Sequence, residues 1–239
     1  THNAAGSPTI YSLQGTGVEP GFGISPASLD FGSVIVGTNS ILPVTITNTG
    51  TSDLVMSNII SSDVHYTFAP NTFPITIGSG LNQVINVTFA PTASGLVTGN
   101  LTITHNATGS PTVYSLQGTG VEATFSIAPP NLNFGNVVLG SNATLQATVS
   151  NPGTSNLVIS NLTSSNIQYT FTPNVFPVTI LPGGNQVFDV TYTPTTLGLS
   201  TADLTFTHNA TGSPTVYSLQ GTGVEATFAI APPNLNFGN

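Results

Sequence analysis

Apolar and polar residues alternate with a period of two along most of the chain. "LPVTIT" places Leu42, Val44 and Ile46 on one face, and "INVTF" does the same with Ile85, Val87 and Phe89. Leu101 and Ile103 follow in "NLTIT", and a second set recurs as Leu145, Ala147 and Val149, then Phe188, Val190 and Tyr192. Strict alternation puts successive side chains on opposite faces of an extended chain, so each run predicts a half-buried strand. Turn-forming clusters such as "NTGTSD", "IGSG", "NPGTS" and "LPGG" separate the runs. No stretch sustains a helical period.

The pattern repeats. "THNATGSPTVYSLQGTG" stands at 104–120 and again at 207–223, and a near copy opens the chain at 1–17. The spacing is 103 residues, and the register holds from Phe31 to Phe134 to Phe237 and from Pro74 to Pro177. Stretches 104–136 and 207–239 differ only at Ser126 against Ala229. A domain-sized period of this kind is a tandem array of recently duplicated units. Seven or so strands in about 100 residues predict an all-β chain of tandem immunoglobulin-like β-sandwiches. The expected units are 24–121 and 127–224, flanked by the closing strand of a preceding repeat at 1–20 and the opening strand of a following one at 227–239.

In "VEATFSIAPP" the alternation of Val121, Ala123, Phe125 and Ile127 crosses the unit boundary, as Val18, Phe22 and Ile24 do upstream. A flexible linker shows Gly and Ser without alternation. The expectation is therefore a stiff joint in which one strand runs from each sandwich into the next, with Glu19, Phe22, Val121, Glu122, Phe125 and Glu225 as joint or assembly residues. The three glutamates recur at every joint, either as solvated groups that keep an exposed strand from mispairing or as a cation site. A covalent array is expected over subunits that exchange strands end to end.

Several stretches resemble a known family. "LDFGSVIVG", "TNTG", "FAPTASG" and "SLQGTG" in the first unit, answered by "LNFGNVVLG", "SNPGTS", "YTPTTLG" and "SLQGTG" in the second, are similar to the Hydin-type (ASH) immunoglobulin-like domain. That domain is related to major sperm protein and is called choice-of-anchor D in bacterial surface proteins. The resemblance implies scaffolding and surface display rather than a defined ligand. The eukaryotic members, linked to cilia and centrosomes, are ordinarily charged.

Composition narrows the function. The 239 residues include no Lys or Arg, eight acidic residues, four His and no Cys. Charged residues make up 3%, against roughly a quarter in ordinary globular proteins. Nucleic-acid binding needs cations to displace phosphate counterions, and a phosphate loop needs its lysine. Schiff-base chemistry and lysine isopeptide bonds are equally excluded. The absence of cysteine removes disulfides and thiolate metal sites. No apolar run reaches the roughly 18 residues of a membrane helix. The chain opens on Thr1 and reads as a window from something longer or a processed product. Lost cations, set beside the resemblance, point to the bacterial surface branch. Few titrating groups predict a melting temperature that changes little with pH and salt.

Candidate sites are few. His2, His105 and His208 recur in "THN", one per repeat, and predict a structural role at a strand end; His65 gives way to Gln168. Asp63 and His65 with a nearby serine would suggest a hydrolase triad, but the pair is absent from the second unit and no nucleophile elbow occurs. Asp30, Asp53 and Asp63 align with Asn133, Asn156 and Asn166, while Asp189 and Asp203 align with Asn86 and Asn100. Such exchange keeps a turn-capping oxygen and discards charge, which argues against calcium. Sequons at Asn86, Asn100, Asn106, Asn142, Asn161 and Asn209 occur about as often as chance predicts. "LPVT" and "LPGG" make no sortase signal in this context. No catalytic residue, metal or cofactor is expected.

The sequence therefore predicts a structural, non-enzymatic array forming an extracellular filament, stalk or sheath on a bacterial cell, with copies of itself as partners. The alternative is an adhesin module that binds glycan or a surface protein through sandwich-end loops. "SSDVHYTFAPNTF" and "TSSNIQYTFTPNVF" are its candidate loops, offering Tyr66, Phe68, Tyr169 and Phe171 for stacking, although their alternation favours core packing.

Overall fold

A computed structural model describes residues 2–8 and 10–228. The expected opening strand at 227–239 lies, from residue 229 onward, outside the described residues. The chain divides into two compact units, 1–120 and 121–239.

The first unit contains β1 (Phe22–Ser25), β2 (Leu29–Ile35), β3 (Ser40–Asn48), β4 (Leu54–Ser61), β5 (Tyr66–Ala69), β6 (Ile75–Ile77), β7 (Asn82–Phe89), β8 (Gly95–His105) and β9 (Thr112–Val121). The second repeats them as β10 (Ser126–Ala128), β11 (Leu132–Val138), β12 (Ala143–Ser150), β13 (Leu157–Ser164), β14 (Tyr169–Thr172), β15 (Val178–Ile180), β16 (Asn185–Tyr192), β17 (Gly198–His208) and β18 (Thr215–Val224). One sheet of each unit has four strands, ordered β1-β3-β7-β5 or β10-β12-β16-β14. The other has five, ordered β2-β9-β8-β4-β6 or β11-β18-β17-β13-β15. β11 runs parallel to β18, with Leu132 beside Leu219 and Val138 beside Val224, while β3 and β7, β8 and β9, and their copies pair antiparallel.

The alternating positions face inward as expected. Val44, Ile46, Ile85, Val87, Phe89, Leu101 and Ile103 are fully buried in one unit, and Ala147, Val149, Phe188, Val190 and Tyr192 in the other. Burying such a side chain contributes about 1.5–3 kcal/mol, so each unit rests on its own core.

Several expectations need correction. Each unit has nine strands rather than seven, because β5, β6 and their copies span only three or four residues, too few to show a period. The stretch beginning at Tyr66 is thus a strand, and Tyr66 and Tyr169 are buried, each donating its hydroxyl proton to a main-chain carbonyl, Val97 O or Ser200 O, at 2.8 Å. Phe68 and Phe171 are half-buried and pack toward Phe73 and Phe176, with ring centroids 6.4 Å apart. These four rings belong to the cores rather than to a stacking surface.

The joint differs as well. β9 ends at Val121 and β10 begins at Ser126, with no strand over 122–125. Ala123, Phe125 and Ile127 alternate because they pack on the core of the second unit, as Phe22 and Ile24 pack on that of the first. "GTG" at 118–120 lies inside β9, paired with β8 down to Gly95–Gly120. At 10–17 the same sequence forms no strand, and Tyr11 and Leu13 are exposed where Tyr114 and Leu116 are buried.

Gly118 and Gly221 are held by close approach. A Cβ on Gly118 would lie 2.5 Å from the Phe89 ring, and one on Gly221 the same distance from the Tyr192 ring. At Gly99 a Cβ would come within 2.9 Å of Tyr66, yet the second unit carries Ala202 at the matching place beneath Tyr169. Gly118→Ala should therefore destabilise the first unit by about 1–3 kcal/mol, while Gly99→Ala stays within about 1 kcal/mol. Urea unfolding of the two variants checks this; equal losses would show that the ring over Gly118 moves freely.

Candidate functional site

The segment leading into each unit is secured by an asparagine. In β3 the inward positions run Val44, Ile46, Asn48, so the alternation carries an amide into the core, where Asn48 is 0% exposed. Its Oδ1 accepts from Gly21 N at 3.2 Å and Gly50 N at 3.0 Å, and its Nδ2 donates to Ser52 O at 2.7 Å and Ile77 O at 2.9 Å. Asn151 repeats the set with Thr124 N, Gly153 N, Ser155 O and Ile180 O, between 2.8 and 3.2 Å. All four hydrogen-bonding positions of the amide are used, which is the condition for burying it without penalty. One side chain thereby joins the lead-in segment, the following turn and β6 of the opposite sheet.

The main chain adds to this. Glu19 O accepts from Thr51 N at 2.8 Å and Ser52 N at 3.2 Å; Glu122 O accepts from Thr154 N at 2.8 Å and Ser155 N at 2.9 Å. Thr51 and Thr154 hydroxyls accept from Glu19 N and Glu122 N. Gly50 and Gly153 sit against these lead-in segments so closely that a Cβ would strike the carbonyl oxygen of Glu19 or Glu122. Of the expected joint residues, Glu19, Phe22, Glu122 and Phe125 are thus engaged within the unit that follows them. Phe22 and Phe125 are core residues, Val121 closes β9 half-buried, and Glu19 and Glu225 expose their side chains. Among the described residues no three metal-ligating side chains gather, at the joint or elsewhere.

"THN" is the second fastening. His105 ends β8 and is 6% exposed; its ring stacks on Phe22 of the other sheet at 4.2 Å and 5°. His208 stacks on Phe125 at 4.4 Å and 8°. Nδ1 of His105 accepts from Ala107 N at 3.2 Å, which assigns the ring proton to Nε2, 3.0 Å from Thr112 Oγ1. His208 repeats this with Ala210 and Thr215. Burial holds both imidazoles below their ordinary pKa of 6.5, hence neutral. These two histidines add an acid-sensitive contribution that a count of charges overlooks. Asn106 continues the ladder of β4: Oδ1 accepts from Val55 N at 2.8 Å and Nδ2 donates to Asp53 O at 3.1 Å. Asn209 does likewise with Val158 and Asn156.

Asp63 and His65 do come together, with threonine rather than serine. His65 Nδ1 lies 2.7 Å from Asp63 Oδ1, and Nε2 lies 2.9 Å from Thr92 Oγ1. The His65 main-chain and side-chain N–H groups hold the Asp63 carboxyl below its ordinary range. In the second unit Gln168 reaches the same loop by accepting from Thr195 N at 3.1 Å. Both arrangements clip the β4–β5 turn to the β7–β8 connection, so the shared role is bracing. The Asp–Asn exchanges keep a turn oxygen at two pairs: Asp30 and Asn133 accept from Gly32 and Gly135, and Asp63 and Asn166 from residues 65 and 168. Asp189 and Asp203 instead accept from Gln146 and Ser218. Each unit has a shallow groove beside its five-stranded sheet, lined by Ser28, Leu29 and Gln117 in the first and by Asn131, Asp203 and Gln220 in the second.

Sequence reasoning missed Asn48 and Asn151. The available signal was a polar residue on the inward phase of an apolar alternation. Asn48→Ala leaves two N–H and two C=O groups without partners and should cost about 2–4 kcal/mol. Asn48→Asp, which sets a carboxylate against two carbonyls, should cost at least as much. Denaturant titration of both variants, with Asn151→Ala as the matched case in the second unit, measures the effect.

Residues 123–222 match the family described as HYDIN/CFA65/VesB-like, Ig-like domain, and residues 18–113 match the ASH family, abnormal spindle-like microcephaly-associated, ASPM-SPD-2-Hydin. No curated protein matches the chain. Among solved structures, a protein of unknown function from Porphyromonas gingivalis W83 is 15% identical with a TM-score of 0.38, over 84% of this chain and 99% of that one. The ASH/PapD-like domain 7 of human CEP192 is 16% identical with a TM-score of 0.39, over 52% of this chain and 100% of that one. The secreted serine protease VesC from Vibrio cholerae is 14% identical with a TM-score of 0.35, over 73% of this chain and 46% of that one. Both units of this chain belong to the HYDIN/ASH group of immunoglobulin-like domains.

Proposed function

We propose that the chain is a structural, non-enzymatic repeat array, serving as part of an extracellular filament, stalk or sheath on a bacterial cell. The observation that carries this reading is the building of each lead-in segment into the unit that follows. β9 keeps its ladder to Gly120, and Glu122 is already bonded to Thr154 and Ser155. Little chain is left over to act as a free tether, which suits a serial element that transmits length and force. The lack of Lys and Arg suits an exposed, protease-challenged setting, since trypsin-like enzymes have no cleavage site even in an unfolded chain.

The adhesin reading loses its named contacts. Tyr66 and Tyr169 are core residues, and Phe68 and Phe171 pack beside them. The brace at His65 and Thr92 offers bracing rather than a catalytic constellation, because its counterpart in the second unit performs the same clipping with an amide.

Electron microscopy of the native material tests the proposal: a fibre whose axial period equals one unit is expected, and isolated globular particles would overturn it. Heat-denatured protein should also survive trypsin intact, while chymotrypsin, which cuts after Phe, Tyr and Leu, degrades it; gel electrophoresis of the digests reads both.

A further inference from the structure

We propose that the stacked pairs His105–Phe22 and His208–Phe125 are acid-sensitive latches that hold the first strand segment of each unit against the opposite sheet. Phe22 begins β1, which has ladder bonds to β3 alone over four residue pairs. Beyond that ladder Phe22 and Ile24 pack on the core, and Phe22 meets the face of the His105 ring at 4.2 Å. That ring is spanned by two bonds of opposite sense, accepting from Ala107 N and facing Thr112 Oγ1 with its proton. A second proton on Nδ1 would point at the Ala107 N–H, turning an acceptor into a donor against a donor. The same chemistry stands at His208, Ala210 and Thr215.

The strands around His105 offer the added charge no partner of opposite sign. β1 (FGIS) and β4 (LVMSNIIS), which neighbours His105 through Met56, carry no ionisable side chain, and the hairpin 106–111 carries none. β9 brings only Tyr114, which is buried and whose hydroxyl pKa burial raises. Asp53, ahead of β4, meets this hairpin through its main-chain oxygen on Asn106. In the second unit Phe125 lies just ahead of β10 (SIA), on the segment that carries Glu122; β10 and β13 (LVISNLTS) have no ionisable groups, β18 brings Tyr217, and Asn156 replaces Asp53. A protonated imidazole would gain cation–π attraction to the Phe22 face. Against that gain stand the loss of solvation, which lowers the pKa of both rings, and the loss of the Ala107 bond.

The sign of the effect follows. The folded pKa lies below the unfolded value of 6.5, so the latch contributes fully above 6.5. Its contribution falls as pH drops from 6.5 toward the folded pKa, because the open state takes up a proton that the closed state refuses. Between those two values the opening constant rises up to tenfold per pH unit for each histidine. Asp30 and Asp63, held below 3.8, act only at lower pH. Acidification therefore loosens residues 22–25 and 105–112, and their copies, ahead of the remaining strands.

Two measurements on the full chain test this. Proton NMR should show the His105 and His208 ring signals titrating at lower pH than in the urea-denatured chain; titration at the same or higher pH would overturn the proposal. Hydrogen exchange, corrected for intrinsic rates, should rise between pH 7 and 5 first in those segments, by several-fold or more, and His105→Gln with His208→Gln should flatten that rise. A uniform rise across all strands, or one that persists in a folded double variant, would equally reject it.

Discussion

Two buried amides set the geometry of this protein. Asn48 and Asn151 lie at the end of a strand where the alternation would otherwise demand an apolar side chain, and each is fully sequestered from water. A buried amide with any unused group would cost on the order of 1–3 kcal/mol per group. The fold must therefore bring two N–H and two C=O groups to one point, from Gly21, Gly50, Ser52 and Ile77 in the first unit. Those four come from the lead-in segment, the turn after β3 and β6 in the opposite sheet. Satisfying one side chain thus fixes where the chain enters, how β3 turns and how the two layers meet at that end. Gly50 and Gly153 are glycine because the lead-in backbone passes where a Cβ would stand.

The repeated "THN" motif complements this at the same end of the sandwich. The amide ties backbone to backbone, whereas His105 and His208 tie ring to ring across the layers. Asn106 and Asn209 then extend the edge of β4 and β13 beyond their strand partners. Every conspicuous letter of the motif has a bonding task inside its own unit. Near-identity of the copies follows from copying one joint, with no need for a shared ligand.

The fold was legible in the sequence where alternation ran for five residues or more, as in β3, β7 and β8. Short elements were not: Tyr66 to Ala69 is four residues ending before Pro70, and no period emerges from so few positions. The glycines of "GTG" were not explained by the sequence either: Gly118 is required by the close approach of the Phe89 ring, a contact that only the opposing sheet reveals. The joint misled for a related reason. Val121, Ala123, Phe125 and Ile127 share one alternation, but Val121 serves the ladder of β9 and the other three serve the next core. A continuous pattern across a boundary is therefore no proof of one strand.

The missing cations explain the style of these fastenings. A chain without Lys or Arg has only amides, hydroxyls, imidazoles and main-chain N–H groups to meet its buried and turn oxygens. Amides take most of that work: Asn48, Asn106, Asn151 and Asn209 donate to carbonyls, and Gln117 and Gln146 donate to Asp30 and Asp189. Asp63 with His65 counts as an ion pair only when the imidazole is protonated. Neutral bonds of this kind are barely screened by salt, since screening acts on separated net charges. Stability is thereby moved from electrostatics, which an external medium alters freely, to geometry, which it does not. The two buried imidazoles are the exception, and they place the chain's main sensitivity to its surroundings at the fastening of each unit.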